Sequence, residues 1–508
     1  MRLMFLVIVG LCSVSFAEFS ESGPALGSGA TRLGTGMPTF TDAYAYNSYD
    51  FCRSPLGLME KESSSVRLTI KYRQLGFSSA KSTDTSIAAS CWTVPELLIG
   101  KPKTIYLMLN YSPVSIVDKA GLEKWEFPLT RFGIAVAGQS EGGIFRFGLS
   151  GSGFYGKEKM VNNNLLAGRD ILGIDNLSLH LGSQLHKLFR LGLKGGVSVK
   201  VDTSISLPYY EDRYGEGRVP YLGADIDFGD EGFPVKSGFD LQMSTTRFTY
   251  VSKGTGSSVP YPAQQAGNGQ RSPVMGDSLS WKWQALGIIN SDLITYQPSL
   301  FLGYWSSKQQ LYTPLAEEHD GTYYLLHFGP AISNANWTLS SFDWGLGGSF
   351  TIMQFGKTWI EYARSSMKLT CGSAFTTADR EAGYDRIGFG LEANINAIPG
   401  LTLPDFIQTH LRLGYLNLRE NSTINQYRAE EFSAFNTGLG GSQNNTRYNP
   451  SLLWGQDERI TNLTLGLGAD LWKKMFEANF NIGFLTKQSD RTYGGFEFGM
   501  DLTYNLNR

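Results

Sequence analysis

The sequence predicts an all-β transmembrane antiparallel β-barrel, and three observations predict it. Strand-like segments alternate apolar and polar residues with a period of two, down to the last residues of the chain. The chain carries 59 Gly and 13% aromatic residues against only 18% charged ones, a balance that suits many strands and tight turns better than a helical bundle. Its opening, MRLMFLVIVGLCSVSFA, has the layout of an export signal.

The amino terminus comes first. Arg2 supplies a positive flank, Leu3 to Leu11 an apolar run, and Ser15-Phe16-Ala17 a small-x-small cleavage site, so residues 1–17 read as a signal peptide cut after Ala17. The apolar run is too short for a membrane-spanning helix, which needs about 20 residues. Bulky Leu11 ahead of Cys12 argues against a lipoprotein site. Cys52, Cys91 and Cys371 remain in the exported chain, where one pair would leave one thiol over. Their spacing has no zinc or redox signature, and they read as structural cysteines. No metal or cofactor is expected.

The formal charge is −2, and removal of Arg2 with the signal makes it −3. A nucleic-acid partner needs a basic face, so none is expected. Mean hydropathy is slightly negative. That value does not separate a soluble protein from a strand-built membrane protein, whose lipid-facing and lumen-facing residues average out.

Strands come next. In Phe496 to Asn507 every even position through Leu506 is apolar and every odd one polar or Gly, over about the length of a tilted membrane-crossing strand. The pattern recurs at Val66–Tyr72, Leu222–Phe228, Ile387–Ile395, Leu463–Leu471 and Phe476–Phe484. The second face is rich in Gly and Asn rather than in large charges, as expected for the wall of a confined lumen. Tyr72, Tyr111, Trp344, Trp472 and Tyr504 fall near strand ends, where interfacial girdles belong. Counting the runs from Ser65 onward gives about 14 to 18 strands, within the range of such barrels. Trp472-Lys473-Lys474-Met475 reads as a tight turn and Arg419 to Ile460 as a long external loop. The same count puts a second long loop, Ser252 to Asp277, at the opposite, periplasmic end, which sets the strand parity in conflict with itself between Leu279 and Thr370.

A segment from residue 18 to 60 stands ahead of the first strand. Gly27, Gly29, Gly34 and Gly36 suit a compact irregular path, and Phe40, Tyr44, Tyr46, Tyr49 and Phe51 give it apolar surface to bury. Both fit a plug inside the barrel, with Pro55 and Gly57 setting the turn into the first strand. The alternative is an extension lying in the periplasm.

The run Gly29-Ala30-Thr31-Arg32-Leu33-Gly34-Thr35-Gly36 resembles the opening of FadL/PorV-type outer-membrane proteins, the fatty-acid-transporter-like barrels that include the type IX secretion shuttle protein. Thr41-Asp42-Ala43 and Asn47 follow, and Ser54-Pro55-Leu56-Gly57-Leu58 stands where that family has an Asn-Pro-Ala-Gly-Leu motif, with Ser54 and Leu56 departing from it. The resemblance covers about 30 residues. It implies a 14-stranded barrel with an N-terminal hatch whose motif is Gly29, Arg32, Gly34, Gly36, Asn47, Ser54, Pro55 and Gly57.

Catalytic constellations are not legible. His180, His186, His319, His327 and His410 form no HExxH pair or triad spacing. His410 shares a polar strand face with Arg412 and reads as lumen-lining. Glu317-Glu318-His319-Asp320 reads as a solvated loop, and Gly345-Leu346-Gly347-Gly348 lies inside a strand pattern without the βαβ context of a nucleotide site. The expectation is therefore a non-enzymatic barrel in the outer membrane of a Gram-negative-type bacterium. Its partners would be outer-membrane lipid and hydrophobic or amphipathic molecules passing a plugged lumen. A cargo-binding component of a protein-secretion apparatus and a soluble exported glycan-binding β-protein are the alternatives.

Overall fold

The computed structural model describes residues 55–60, 63–79, 85–100, 104–118, 123–162, 165–205, 212–229, 233–253, 271–311, 315–319, 322–326, 335–372, 376–401, 403–404, 406–429, 459–488 and 491–506. The signal peptide, most of the segment ahead of the first strand and Cys52 lie outside them.

Antiparallel strands run from β1 (Ser65–Ser79), β2 (Thr85–Ile99), β3 (Thr104–Asp118), β4 (Glu123–Gln139), β5 (Phe145–Asn162) and β6 (Leu165–His186) to β7 (Phe189–Ile205), β8 (Asp212–Phe228), β9 (Val235–Lys253) and β10 (Arg271–Gly287). A two-residue β11 (Ile289–Asn290) pairs with the start of β12 (Ile294–Leu311). A separate hairpin of β13 (Leu315–His319) and β14 (Thr322–Leu326) precedes β15 (Ala335–Ile352), β16 (Gly356–Gly372), β17 (Thr376–Asn394) and β18 (Ile407–Ala429). The chain ends with β19 (Arg459–Leu471), β20 (Phe476–Gln488) and β21 (Arg491–Asn505). Each wall strand pairs with its sequence neighbours. β21 pairs with β1 from Ser65↔Asn505 to Ser79↔Arg491, so the sheet closes on itself as an 18-strand barrel.

The strand count corrects the 14 that the family resemblance implies and falls at the top of the sequence count. Prolines hide strands from a period-two reading. The β2–β3 ladder skips residues around Pro95 and Pro113, β4–β5 skips Phe127 and Pro128, and β8–β9 skips Val219 and Pro220. A proline lacks the amide donor of a ladder, so each reads from sequence as a break. The parity conflict is also resolved. β11 and the β13–β14 hairpin are not wall strands, so residues 254–270 and 430–458 both connect strands at the same end. Glu317 to His319 belong to that hairpin rather than to a plain loop, and Ile395 belongs to the 3-10 turn Ile395–Ala397 that follows β17.

Burial is inverted relative to a soluble protein. Leu222, Leu193, Phe484 and Leu463 are 72%, 58%, 57% and 55% exposed, while Glu361, Asn462 and Asp501 are at most 2% exposed. Charged residues are almost never fully buried in water-soluble folds unless paired. Here the apolar face points out, forming a belt, and the polar face points in. Leu463, Leu465 and Leu467 on β19, and Phe480, Ile482 and Phe484 on β20, are exposed in strict alternation with buried Asn462, Thr464, Asn479 and Asn481. This is the lipid-facing pattern of a membrane barrel. Replacing Phe480 by Arg is expected to cost about 2 to 4 kcal/mol if it lies near the bilayer midplane. Urea titration of the protein refolded into vesicles measures this, and an unchanged midpoint would place Phe480 outside the hydrocarbon.

Aromatic pairs border the belt on its outer face. Towards the short-turn end Tyr296 stacks on Phe350 at 4.4 Å and Phe406 on Trp472 at 6.2 Å. Towards the other end Trp281 stacks on Tyr304 at 6.3 Å and Trp344 meets Tyr362 edge-on at 5.4 Å. The β19–β20 connection is the tight turn expected, and it holds Trp472, Lys473 and Lys474 at φ of 48°, 58° and 68°. Three side-chain-bearing residues in the left-handed region are strained. Neighbours hold them there: Trp472 N–H donates to Phe406 O at 2.8 Å, and Asn505 Nδ2 donates to Lys474 O at 2.6 Å.

Candidate functional site: the barrel lumen

An 18-strand barrel is wide enough to keep an aqueous channel. Its inner wall is built of cross-strand polar rungs. Where β21, β1, β2 and β3 meet, Asp501 accepts from Arg67 Nη2 at 3.0 Å and Thr69 Oγ1 at 2.7 Å. Arg67 also lies 3.8 Å from Glu96, which accepts from Tyr106 Oη at 2.5 Å. Across β16 to β21, Glu361 pairs with Arg386, Arg412 bonds Glu392 at 2.5 Å and Asn479 at 2.7 Å, and Asn462 donates to Glu497 at 2.7 Å. His410, the lumen-lining histidine expected, sits 3.3 Å from Asp470. On β5 to β9, Ser150 bonds Ser178 at 2.7 Å, Tyr221 donates to Asn176 at 2.7 Å, His180 meets Asp225 at 2.7 Å, and Lys194 pairs with Asp240. Charges are thus matched across the strands. That is what a buried polar wall requires, because an unpaired charge there costs several kcal/mol.

Glycines on this wall lie under the long side chains of neighbouring strands. A Cβ on Gly388 would stand 2.8 Å from the Trp359 ring, one on Gly468 2.5 Å from Arg412 Nη1, and one on Gly483 2.7 Å from Glu497 Cγ. Each missing Cβ lets the neighbour lie flat against the sheet. The wall is not uniform. Along β8 and β10, inward-facing Asp227, Lys282 and Gln284 are exposed, whereas inward residues of β19 to β21 such as Asn462, Glu497 and Asp501 are buried. The accessible side of the lumen therefore runs along β8 to β10. Apolar islands interrupt the polar wall at Phe301 with Ala363, at Leu416 and at Leu485.

The 3-10 turn Pro55–Glu60 lies against the inner wall near the short-turn end. Leu58 and Met59 are buried among Val94, Tyr106, Met108, Ala135 and Ala137, the face of β2 to β4 opposite to the exposed Leu107, Leu109, Ile134 and Val136. Thr104 Oγ1 lies 3.6 Å from Met59 Sδ. Pro55 and Leu56 sit over Gly148 of β5 and Gly182 of β6, where a Cβ would meet them at 2.7 and 2.9 Å. Two of the sequence-predicted motif residues, Pro55 and Gly57, are therefore in this turn. Gly29, Arg32, Gly34, Gly36, Asn47 and Ser54 lie outside the described residues. The ionic rungs were missed from the sequence. Asp501 and Glu497 were visible as polar-face residues of the last strand, but no spacing pointed to Arg67 or Asn462 as their partners. Cys91 and Cys371 lie on β2 and β16, which are not neighbours in the wall.

No protein-family model matches the chain, and no curated protein matches it in sequence. Among solved structures it is similar to the CymD monoaromatic hydrocarbon channel (11% identity over 96% of this chain and 100% of that one, TM-score 0.35). It is also similar to the Pseudomonas putida toluene transporter TodX (11%, 95% and 98%, 0.33) and to the ferric citrate transporter FecA in its unliganded form (7%, 88% and 79%, 0.35). These TM-scores fall below the level at which two chains share a fold, so the barrel rests on its own strand pairing.

Proposed function

We propose that the protein is an outer-membrane barrel that passes small amphipathic or hydrophobic molecules through its lumen, with the segment ahead of β1 as the gate. The observation that carries this reading is the inner wall. Its polar rungs line the bore, and the exposed inward residues Asp227, Lys282 and Gln284 along β8 to β10 leave one side of it open to a solute. The docked turn Pro55–Glu60 supports a gate, because it fixes the end of that segment to the inner wall. The FadL/PorV resemblance of Gly29 to Leu58 points the same way. Short turns at the end holding β1's start and β21's finish, with long connections at the other, support a periplasmic and an external end respectively.

Deleting Ser20 to Cys52 removes no wall strand and leaves Pro55–Glu60 in place. Conductance in planar bilayers is expected to rise well above that of the intact protein, with faster uptake of amphipathic solutes into liposomes. Unchanged conductance from a barrel shown to be folded would put the segment outside the lumen. The secretion-partner reading, in which the external loops bind cargo, would then replace transport.

A further inference from the structure

The outer face carries an arrangement that passage through the lumen does not use. Arg419 on β18 and Arg459 on β19 stand directly opposite one another in the register of that strand pair. Both share the outward parity of their strands, with exposed Leu411 and Leu413 on β18 and exposed Leu463, Leu465 and Leu467 on β19, and both are themselves exposed. Like charges directly opposite on one face destabilise a strand pair. The neighbouring strand offers Asp385 opposite Arg419, but that carboxylate already accepts from Tyr362 Oη at 2.6 Å and lies 3.6 Å from Arg364 Nη1. Among the described residues neither Arg419 nor Arg459 has an ion-pair partner. One register row thus holds three guanidinium groups, those of Arg364, Arg419 and Arg459, against one carboxylate.

The position of the row is as informative as its charge. Moving down each strand, the outward residues turn aromatic or apolar within two steps: Tyr362 and Ile360 below Arg364, Tyr415 and Leu413 below Arg419, Leu463 below Arg459. Trp344 packs edge-on against Tyr362 at this same border. The row therefore sits where the apolar belt ends on the long-connection side, at the depth of lipid headgroups. Guanidinium forks match phosphate oxygens in pairs, and basic groups at this depth attract anionic lipid.

We infer that Arg419 and Arg459 bind the phosphate of an anionic lipid headgroup in the leaflet on the long-connection side, with Arg364, paired to Asp385, adding to the positive field beside them and the acyl chains on Leu413, Leu463 and Phe389 below. The bound phosphate relieves the Arg419–Arg459 repulsion. The inference rests on the outer face meeting lipid, and it is independent of what passes through the lumen.

The test uses the full chain in detergent micelles, titrated with phosphatidylglycerol or phosphatidylcholine and read by native mass spectrometry. The intact protein is expected to retain phosphatidylglycerol more tightly than phosphatidylcholine. In R419Q/R459Q that preference falls by about fivefold per arginine, whereas R419K/R459K keeps most of it. Inorganic phosphate leaves lipid retention unchanged. Equal retention of the two lipids by the intact protein would overturn the inference, as would an undiminished preference in R419Q/R459Q with folded, heat-modifiable migration. Displacement of the lipid by inorganic phosphate would also overturn it, showing a free-anion site instead. If R419Q/R459Q does not fold, R364Q reads the same ratio, and an unchanged preference there counts against the assignment. Conductance is measured separately, so failure here leaves the lumen reading standing.

Discussion

Removal of residues 491–508 is expected to leave no folded barrel. β21 is the strand that joins β20 to β1, with a register of unbroken pairs on both sides. Without it β1 and β20 present two open edges, and hydrocarbon offers no hydrogen-bond partner for the freed amides and carbonyls. Asp501 is lost as well, leaving the Arg67 guanidinium without the partner it holds at 3.0 Å. The truncated chain should show no heat-modifiable band and no protease-resistant core after refolding into vesicles. A truncated protein that inserts and resists protease would mean that β1 and β20 pair directly in a narrower barrel.

Loss of one half of a buried lumen pair is the second large effect. Arg386 and Glu361 have side chains 4% and 0% exposed and pair across β16 and β17. Arg386→Ala removes the ion-pair partner of the buried Glu361 carboxylate, and breaking a buried pair by removing one partner costs about 3 to 5 kcal/mol. Replacing both partners by leucine-sized residues removes the charge altogether, and its cost should be much smaller for the same reason. Equilibrium urea unfolding of the two variants in vesicles compares them. A cost below about 1 kcal/mol for Arg386→Ala would show that this part of the wall is wetted in solution, since exposed pairs are worth about that little.

Legibility followed the chemistry of each strand. β19, β20 and β21 were readable because both faces are nearly uniform: Leu, Phe, Ile, Met, Ala or Tyr outside, and Asn, Gly, Thr, Asp or Glu inside apart from Leu485, with no proline between. β1 began at Ser65 as the alternation indicated. β18 was cut short from the sequence because outward Asn417 and Arg419 replace apolar residues above the belt, yet the strand continues to Ala429. A strand that leaves the membrane loses its apolar signal while keeping its hydrogen bonds. In the lumen, inward parity could be read for Arg412 and His410, but the pairing of Glu361 with Arg386 depends on register across strands. Register is set by the whole closed sheet and not by any local spacing. The docking of Leu58 and Met59 was invisible for the same reason, since their cleft is assembled from β2 to β6.

The glycines under Trp359, Arg412 and Glu497 have a consequence for how such a barrel wall can change over time. The bore of a barrel is usually ascribed to its largest residues, yet at these positions the smallest decide how flat the wall lies. A methyl group at Gly468 would lift the Arg412 fork off the sheet and swing it towards the axis, turning a wall tile into a shutter without moving a single strand. The converse change, a glycine in place of an inward serine, would let a neighbour recline and widen the bore. The shape of the bore can therefore drift by one-carbon steps while strand number and closure stay fixed. Two barrels of this architecture with the same backbone could differ in the bore they enclose through little more than the whereabouts of a few hydrogen-for-methyl exchanges.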